Sequence, residues 1–334
     1  MTTPSQSDEP NTTLENVVAG RPLRPIPAVS VRPWAGRRLG PTTDHVGELW
    51  LAGPGSIVAG GSLVSGATGE GTTLDAIAAV AGAALVGEAG LRLLGPRFPL
   101  IVKLIDPAEW LSLQVHPSDL LAAELYGPGA LGKTEAWLIL DADPESRLVT
   151  GPAAGLAEAD LRAAIGAGTL DRDDCEVRQA VPGDALLVET GTLHAIGPGA
   201  FVYEIEQPSD LTFRISDWGR PAVPGRTLHP AESLRAIRPD GHVRPAGHGW
   251  QLDGGALVVP EFRLEVALLP GPVLRSPAGR SLEVVTAIEG EALITGEGWS
   301  ERLARWETLV VPASAADYRI DGEAGTRVCV GSIP

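Results

Sequence analysis

The sequence predicts a mainly β protein with a β-sandwich or jelly-roll architecture. Short runs of Val, Ile and Leu recur along the 334 residues, and tight-turn pairs such as Pro-Gly, Gly-Asp and Asp-Gly separate them. This alternation is typical of short strands joined by turns. Gly (41 residues) and Pro (29 residues) are frequent enough to supply those turns. The scarcity of long helical segments disfavours a doubly wound α/β sheet.

Individual elements follow from the positions of these apolar runs. The predicted strands are Leu100–Ile105, Leu111–His116, Ala136–Leu140, Ala185–Glu189, Phe201–Glu206, Thr212–Ile215, Arg263–Leu268, Ser281–Ile288, Glu291–Gly296, Thr308–Val311 and Arg327–Gly331. The predicted helices are Thr73–Ala81, Pro117–Leu125 and Ala157–Ala167. In the last of these, Leu161 and Ile165 have the i,i+4 spacing of a buried helical face.

We expect two β domains after an N-terminal tail. Residues 1–16 are rich in Ser, Thr, Asp, Glu and Pro, a composition that predicts disorder and does not fit a secretory signal. The first domain is predicted to span residues 17–242, with a small helical insertion, and the second to span residues 251–334. The Gly-, His- and Pro-rich stretch Val243–Gln251 is predicted to be the linker between them.

Charge and composition exclude several classes of partner. The formal net charge is −16, which makes nucleic acid and an anionic membrane surface poor candidates. The apolar run Leu74–Leu94 is interrupted by charged residues and predicts a helix pair rather than a membrane span. Cys175 and Cys329 lie far apart and outside any CxxC pattern, so a reducing, cytoplasmic location is predicted.

Only two of the 26 basic residues are lysines, and both lie in one motif-dense stretch. Lys103 precedes the triplet Gln114-Val115-His116, and Lys133 lies two residues before Glu135. A compact ammonium is not interchangeable with a planar guanidinium. We therefore infer that these two places need a small point charge, the alternative being a chance neighbourhood of two lysines.

All six histidines lie at or before position 248, so any histidine-dependent site belongs to the first predicted domain. Gln114 and His116 are two residues apart on a predicted strand and would share a face. Glu135 begins the next strand, and His194 follows a Gly-containing turn. Two imidazoles, a carboxylate and an amide oxygen could form an open zinc site. Taken alone, His116 could equally be a hydrogen-bonded core residue.

Four motifs in this region resemble those of one enzyme family. They are Leu111–Asp119 (LSLQVHPSD), Gly132–Trp137 (GKTEAW), Gly191–Gly197 (GTLHAIG) and Glu204–Arg220, the last ending in SDWGR. In this order they resemble the signature of type I mannose-6-phosphate isomerases, the zinc-dependent cupin enzymes, in their short bacterial form. The segments Arg32–Gly36 and Gly47–Trp50 resemble the opening strands of that family more loosely. Several motifs in register are more specific than one short match.

The resemblance implies a fold, a cofactor and residue roles. The implied fold is two cupin-type jelly-roll β-barrels, of which the second has no histidine and therefore no histidine-rich metal site. The implied cofactor is one zinc ion per chain, and the implied partner is a small sugar phosphate; the oligomeric state stays open. The implied zinc ligands are Gln114, His116, Glu135 and His194. The resemblance implies that Lys133, Glu204 and Arg214 face the substrate, and we predict them to be catalytic. Ser112 and Arg220 match substrate-binding positions of the family, and Lys103, as one of only two lysines, is also predicted to bind the substrate.

Two roles and two rival functions stay open at this point. Glu204 is a candidate general base, or it forms a salt bridge that positions Arg214. Arg220 is a candidate phosphate ligand, or it forms a surface ion pair with Asp217 or Glu232. The expected activity is interconversion of mannose 6-phosphate and fructose 6-phosphate through an enediolate. The rivals are a metal-dependent isomerase of another aldose, phosphorylated or not, and a non-catalytic sugar-binding or regulatory cupin.

Overall fold

The computed structural model describes residue 18 and residues 20–41, 44–59, 72–221 and 226–334. The predicted disordered tail, residues 1–16, lies outside the described residues. Within them the protein is mainly β, with five sheets and five α-helices. The helices are α1 (Leu74–Ala81), α2 (Ala83–Leu94), α3 (Asp119–Tyr126), α4 (Glu158–Ala167) and α5 (Pro230–Ala236).

The first part of the chain forms an eight-stranded sheet and two small sheets. Its strands are β1 (Ala28–Val31), β2 (Val46–Ala52), β3 (Ile101–Ile105), β4 (Leu113–Val115), β5 (Glu135–Ala142), β6 (Arg147–Pro152), β7 (Cys175–Gln179), β8 (Ala185–Val188), β9 (Ala195–Ile196), β10 (Ala200–Glu206), β11 (Phe213–Ser216), β12 (Arg244–His248) and β13 (Gln251–Leu252). The large sheet has the order β1-β2-β3-β10-β5-β8-β12-β13, and the small sheets are β11-β4 and β7-β6-β9.

The second part forms two further sheets. Its strands are β14 (Leu257–Val258), β15 (Arg263–Leu268), β16 (Val273–Arg275), β17 (Glu283–Glu289), β18 (Ala292–Gly296), β19 (Trp299–Leu303), β20 (Thr308–Val311), β21 (Tyr318–Gly322) and β22 (Arg327–Ser332). A five-stranded sheet, β14-β15-β22-β17-β20, faces a four-stranded sheet, β16-β21-β18-β19. Val285, Val330, Ile294 and Ile320 form part of the core between them.

The two faces of the eight-stranded sheet have different roles. Tyr203 pairs with both Leu104 and Leu138, and these three side chains join one core with Leu264 and Val284 of the second part. On the other face Glu204 pairs with Lys103 and Trp137, and Glu206 pairs with Glu135. Because side chains alternate along a strand, one face packs against the second part and the other carries buried charge.

The helices cover the small sheets beside this charged face. Leu161 and Ile165 of α4 pack with Leu113 of β4 and Phe213 of β11 in a separate apolar cluster. The α3 helix begins where the Ser118 hydroxyl accepts a hydrogen bond from the backbone N–H of Leu121 at 3.3 Å, an N-cap. The contacts of α4 hold β4, which carries Gln114, together with β11.

Most predicted elements are confirmed with small shifts at their ends, and Arg263–Leu268 and Thr308–Val311 match in full. One prediction is wrong. The stretch Val243–Gln251 is not a linker, because β12 within it pairs with β8 and extends the large sheet. The predicted strand Leu111–His116 is also shorter than expected, since β4 ends at Val115.

The apolar run that predicted a helix pair forms α1 and α2, which bend by 89° at Gly82. Among the described residues, no single helix is long and apolar enough to cross a membrane, although this bent pair would qualify on length and composition alone.

Candidate active site

Three predicted metal ligands meet in the interior of the first part. The side-chain ligand atoms of His116, Glu135 and His194 all lie within 4.8 Å of one another. His116 Nε2 lies 3.2 Å from Glu135 Oε2, and His194 Nε2 lies 3.5 Å from Glu135 Oε1. All three side chains are about 1% exposed. Glu135 Oε1 accepts no hydrogen bond from any described residue, which leaves a buried carboxylate oxygen without a donor.

The fourth predicted ligand, Gln114, lies next to this group. A β-bridge joins Gln114 to His194, and their backbones exchange two hydrogen bonds of 3.1 and 3.0 Å. The Gln114 amide nitrogen lies 3.0 Å from His194 Nε2, and its oxygen accepts from the Ser112 hydroxyl at 3.3 Å. The structure thus brings all four predicted ligands together, with the amide nitrogen nearest to the cluster.

Backbone carbonyls orient both imidazoles. His116 Nδ1 lies 2.9 Å from the carbonyl oxygen of Leu211, and His194 Nδ1 lies 2.9 Å from that of Thr192. Each Nδ1 must donate to its carbonyl, so each Nε2 presents a lone pair to the cluster. Burial lowers the pKa of His116 to about 4 and also lowers the pKa of His194. Neutral imidazoles are the form that binds a metal ion.

A network of lysines and glutamates lies beside the cluster. Lys133 Nζ lies 2.8 Å from Glu135 Oε2 and 2.8 Å from Glu206 Oε2. Lys103 Nζ lies 2.9 Å from Glu204 Oε1 and 3.1 Å from Glu206 Oε1. Both lysines are therefore buried in direct contact with glutamate side chains.

The protonation states in this network follow from burial and charge. Burial lowers the pKa of Lys133, but Glu135, Glu206 and Glu204 outweigh it and raise that pKa well above its ordinary value. Burial raises the pKa of Glu135, yet Lys133 and His116 bring it well below the ordinary value. Burial also raises the pKa of Glu206 far enough that the lysines do not reverse it. Of the close pair Glu204 and Glu206, Glu206 is thus the member whose neutral form is favoured.

Close packing before β5 fixes the position of Lys133. A Cβ atom on Gly132 would lie 2.6 Å from the carbonyl oxygen of Pro117, so this passage admits only glycine. Asp119 accepts hydrogen bonds from the Gly132 backbone at 2.7 Å and from the Gln207 amide at 3.1 Å. The Gln207 side chain also accepts from the backbone N–H of Thr134 at 2.8 Å. Both neighbours of Lys133 are therefore held in place.

A cleft opens above Gln114 and Lys133 and is rich in arginine. Arg32, Arg214 and Arg226 line it together with Lys103 and Glu204. Arg214 has no carboxylate of the described residues within ion-pair distance. Burial lowers its pKa, and Arg226 lowers it further. Asp217 and Asp210 raise this pKa but do not reverse the shift. A half-buried guanidinium that forms no ion pair with the described residues favours an anionic ligand.

The other two arginines of the cleft are each clamped by one carboxylate. Arg32 donates through Nε and Nη2 to the two oxygens of Glu48, both at 3.0 Å. Arg226 donates through Nε and Nη2 to the two oxygens of Asp217, both at 2.6 Å. In each pair Nη1 forms no hydrogen bond to a carboxylate of the described residues. The carboxylate therefore fixes the orientation of the guanidinium and leaves the Nη1 donors for a ligand.

The remaining predicted residues divide into two groups. Ser112 and Lys103 line the cleft, although the hydroxyl of Ser112 faces Gln114. Arg220 does not line the cleft: it pairs with Asp217 at 2.5 Å and donates to the carbonyl of Trp110 at 2.7 Å. Its substrate contact stays a prediction, and the contact present in this structure is the ion pair with Asp217.

Glu204 does not pair with Arg214 as the alternative required. Its Oε1 contacts Lys103, and its Oε2 accepts from the Trp137 indole N–H at 2.8 Å. Sequence reasoning missed Arg32, Glu48 and Arg226 as part of the site. The loose match of Arg32–Gly36 and Gly47–Trp50 to the opening strands of the family was a signal for the first two. Arg226 carried no signal in the sequence.

Comparison with known proteins identifies the family. No family model matches the chain. A mannose-6-phosphate isomerase of Streptococcus mutans is 33% identical over 232 residues, which is 68% of this chain and 72% of that protein. The mannose-6-phosphate isomerase ManA of Bacillus subtilis is 31% identical over 240 residues, 69% of this chain and 74% of that protein. This chain belongs to the type I mannose-6-phosphate isomerases.

Solved structures agree over nearly the whole chain. The mannose 6-phosphate isomerase structure from Bacillus subtilis matches with a TM-score of 0.75 and 26% identity, over 93% of this chain and 99% of that one. A mutant of the phosphomannose isomerase from Salmonella typhimurium matches with a TM-score of 0.74 at 15% identity, over 94% of this chain and 100% of that one, and supports the fold alone. The mannose-6-phosphate isomerase fold therefore extends through β22.

Proposed function

We propose that this chain interconverts mannose 6-phosphate and fructose 6-phosphate, as an aldose–ketose isomerase. The observation that carries the proposal is the buried His116–Glu135–His194 cluster beneath a cleft that contains Arg214, which forms no ion pair with the described residues. The cluster suits the reacting carbons, and the arginine suits a phosphate. Family membership supports the same reaction.

We propose one zinc ion per chain, held by Gln114, His116, Glu135 and His194. Neutral imidazoles, an ionised carboxylate and a buried carboxylate oxygen without a donor all fit a divalent cation. The Gln114 amide would have to flip by about 180° to direct its oxygen at the ion, because this oxygen now accepts a hydrogen bond from Ser112. Bound there, the ion supplies positive charge that favours an enediolate over the neutral sugar.

The chain's own side chains supply proton transfer and further charge stabilisation. Glu204 lines the cleft, and we assign to it the transfer of the proton between C1 and C2. Burial and Glu135 raise its pKa, but Lys103 and Lys133 lower it below the ordinary value, so it is ionised and able to accept a proton. The Lys133 ammonium lies where negative charge develops on the sugar oxygens.

We propose that three arginines bind the phosphate group. Arg214 supplies the uncompensated charge, while Arg32 and Arg226 present donors from guanidinium groups that Glu48 and Asp217 hold in place. Because these carboxylates already fix the side chains, little side-chain entropy is lost on binding. This arrangement favours a phosphorylated sugar over the rival hypothesis of an unphosphorylated aldose.

We also propose that the two halves are cupin-type jelly-roll domains. The first comprises the predicted residues 17–242 extended by β12 and β13, and the second begins near residue 253. The proposal rests on the face-to-face packing of the five- and four-stranded sheets and on the likeness to the Bacillus subtilis structure. Limited proteolysis that releases a stable fragment beginning near residue 253 would support this division.

A coupled assay of both directions of the isomerisation tests the function. Metal-loaded protein should turn over fructose 6-phosphate and should lose activity on chelation, with recovery on addition of zinc. Free fructose and free mannose, assayed in parallel, distinguish the phosphate-independent rival. Turnover of the free sugars at the rate of the phosphates would reject the phosphate site. Metal-loaded protein without turnover of any sugar would reject the isomerase.

A further inference from the structure

The backbone of Arg214 lies at an open edge of the small sheet β11-β4. Among the described residues β11 pairs with β4 alone. Arg214 is the register partner of Gln114, whose backbone exchanges its hydrogen bonds with His194, at 3.1 and 3.0 Å. In such a non-hydrogen-bonded antiparallel pair, the N–H and C=O groups of both residues point away from each other. The backbone of Arg214 therefore needs partners on the side away from β4.

His229 provides both of these partners. Its backbone N–H donates to the carbonyl of Arg214 at 2.8 Å. Its ring nitrogen Nδ1 accepts from the backbone N–H of Arg214 at 3.1 Å. One histidine thus takes the place of a neighbouring strand and satisfies both backbone groups of Arg214. The residues His194, Gln114, Arg214 and His229 are successive neighbours in one row, which begins in the histidine cluster.

The hydrogen bond to Nδ1 requires the neutral imidazole. Nδ1 must present its lone pair, so the ring proton is on Nε2, which lies 3.5 Å from the hydroxyl of Thr227. Burial lowers the pKa of His229, and Arg214 lowers it further, while Glu232 raises it without reversing the shift. The form of the ring that can accept the hydrogen bond is therefore the favoured one.

The strand that carries Arg214 is short and irregular. It has four residues, and its register with β4 shifts between Arg214 and Ser216. A two-stranded sheet is only marginally stable by itself, and a bulge changes the direction of the side chains beside it. The direction of the Arg214 side chain into the cleft therefore depends on what holds its backbone at the open edge.

The segment Arg226–His229 contributes to the cleft in two ways. It carries Arg226, which lines the cleft and donates to Asp217 at 2.6 Å, and three residues later it carries His229. His229 directly precedes α5, and its carbonyl accepts from the backbone N–H of Ser233 at 2.9 Å. Leu234 of α5 packs against the apolar cluster that includes Phe213 of β11. The helix thus anchors His229 beside the strand.

We propose that His229 is a positioning residue for the substrate phosphate, because it fixes the backbone of Arg214 and thereby directs its guanidinium into the cleft. His229 does not line the cleft itself, so it acts through Arg214 and not on the sugar. The inference rests on the proposed binding of phosphate by Arg214.

Substitution by Leu and by Asn gives a matched pair. The two side chains share a branched shape, but only Asn places an acceptor where Nδ1 lies. His229→Leu should raise both KM for fructose 6-phosphate and the inhibition constant of inorganic phosphate about fivefold, with kcat within about twofold. His229→Asn should keep both constants within about twofold of the wild type. Equal changes in the two variants would show a packing role and overturn the proposal.

Urea unfolding of each variant, followed by tryptophan fluorescence, separates loss of fold from loss of phosphate binding. His229→Gln provides a second test if His229→Leu fails to fold, because its amide reaches the place of Nε2 and not that of Nδ1. It should therefore resemble the leucine variant in KM, and wild-type constants would overturn the proposal. His242→Leu is the control histidine variant, since the His242 ring contacts the carbonyls of Asp240 and Pro152 outside the cleft. It should leave both constants unchanged.

A double variant tests whether His229 acts through Arg214. Once Arg214→Ala has removed the guanidinium, adding His229→Leu should change neither constant further. Additive effects would overturn the proposal. If Arg214→Ala weakens phosphate inhibition and His229→Leu does not, the role of His229 is rejected and the phosphate site stands. If Arg214→Ala leaves phosphate inhibition unchanged, the phosphate site itself is rejected, and the role of His229 with it.

Discussion

Each half of the molecule contains a charged network of low exposure, and among the described residues only the first network leaves side-chain atoms without partners. In the first half, Lys103 and Lys133 contact Glu135, Glu204 and Glu206 beside two histidines. In the second half, Arg275 pairs with Glu265 at 2.8 Å and with Glu283. The two networks differ in whether neighbouring groups satisfy their hydrogen-bonding atoms.

The second network is self-contained. Tyr318 donates its hydroxyl to Glu283 at 2.6 Å, so one guanidinium and one phenol satisfy this carboxylate. In the first network Glu135 Oε1 has no donor among the described residues, and none of their carboxylates lies within ion-pair distance of Arg214. Buried charge by itself thus does not make a site. The unsatisfied atoms are what distinguish the first network from the second.

The largest effect is expected for Lys133→Met. Removing the ammonium should lower kcat for fructose 6-phosphate by roughly 10²–10³-fold, because charge that develops on the sugar loses its stabilisation. Lys133→Arg should fail similarly, since a planar guanidinium does not fit between Glu135 and Glu206. Metal analysis and circular dichroism control for loss of zinc or of fold. Activity retained in Lys133→Arg would show that charge alone is enough.

For Arg275→Met we expect the opposite result, a loss of stability without a loss of kcat. Removing the guanidinium leaves Glu265 and Glu283 facing each other at low exposure, which should destabilise the fold by about 3 kcal/mol. The value of kcat should not change. Urea unfolding followed by tryptophan fluorescence, beside the isomerase assay, measures both. The double variant Arg275→Met with Glu283→Gln should recover part of the stability, and a loss of kcat in the single variant would contradict a purely structural role.

Sequence reasoning located the first network because its parts have distinct residue types and fixed spacings. Gln114, His116, Glu135 and His194 come from separate strands and loops, and motif order alone placed them together. The pattern of apolar runs located most strands for the same reason. It failed at Val243–Gln251, because Gly, His and Pro hide a strand whose pairing with β8 is set by tertiary context.

Arginine partners were the least predictable part of the site. Arg220 and Arg226 both bind Asp217, yet only Arg226 reaches the cleft. The chain contains many arginines, so residue type gave no means to choose between them. The choice depends on how the chain turns after Trp218, which has a positive φ of 57° that the sequence does not signal.

Lowering the pH should reveal how much ionised Glu48 contributes to the stability of the fold. Burial raises the pKa of Glu48, but Lys103 and Arg32 lower it to about 2. Because the folded-state pKa lies below the unfolded value, ionised Glu48 stabilises the fold above about pH 4.5, and this stability is lost as pH falls towards 2. It amounts to about 3 kcal/mol at neutral pH.

Glu48→Gln isolates this contribution. Urea unfolding at pH 7 and pH 3 should show the stability gap between wild type and variant shrinking by about 2 kcal/mol at the lower pH. Glu265→Gln in the second half serves as the comparison, since its carboxylate is partly exposed and should give a smaller change. A gap that is independent of pH would mean that Glu48 acts through packing and not through its charge.

The smallest expected effect distinguishes two arginines that share one carboxylate. Arg226→Ala should raise KM for fructose 6-phosphate about tenfold, or about 1.4 kcal/mol, with kcat within about threefold, because the lost donors bind phosphate equally in ground and transition states. Arg220→Ala also removes a bond to Asp217 but takes nothing from the cleft, so its KM should stay within about threefold of the wild type. Competitive inhibition by inorganic phosphate provides a second readout, and it should weaken in Arg226→Ala alone. Equal changes in KM for the two variants would mean that Asp217 holds the local fold, and that neither arginine contacts the substrate.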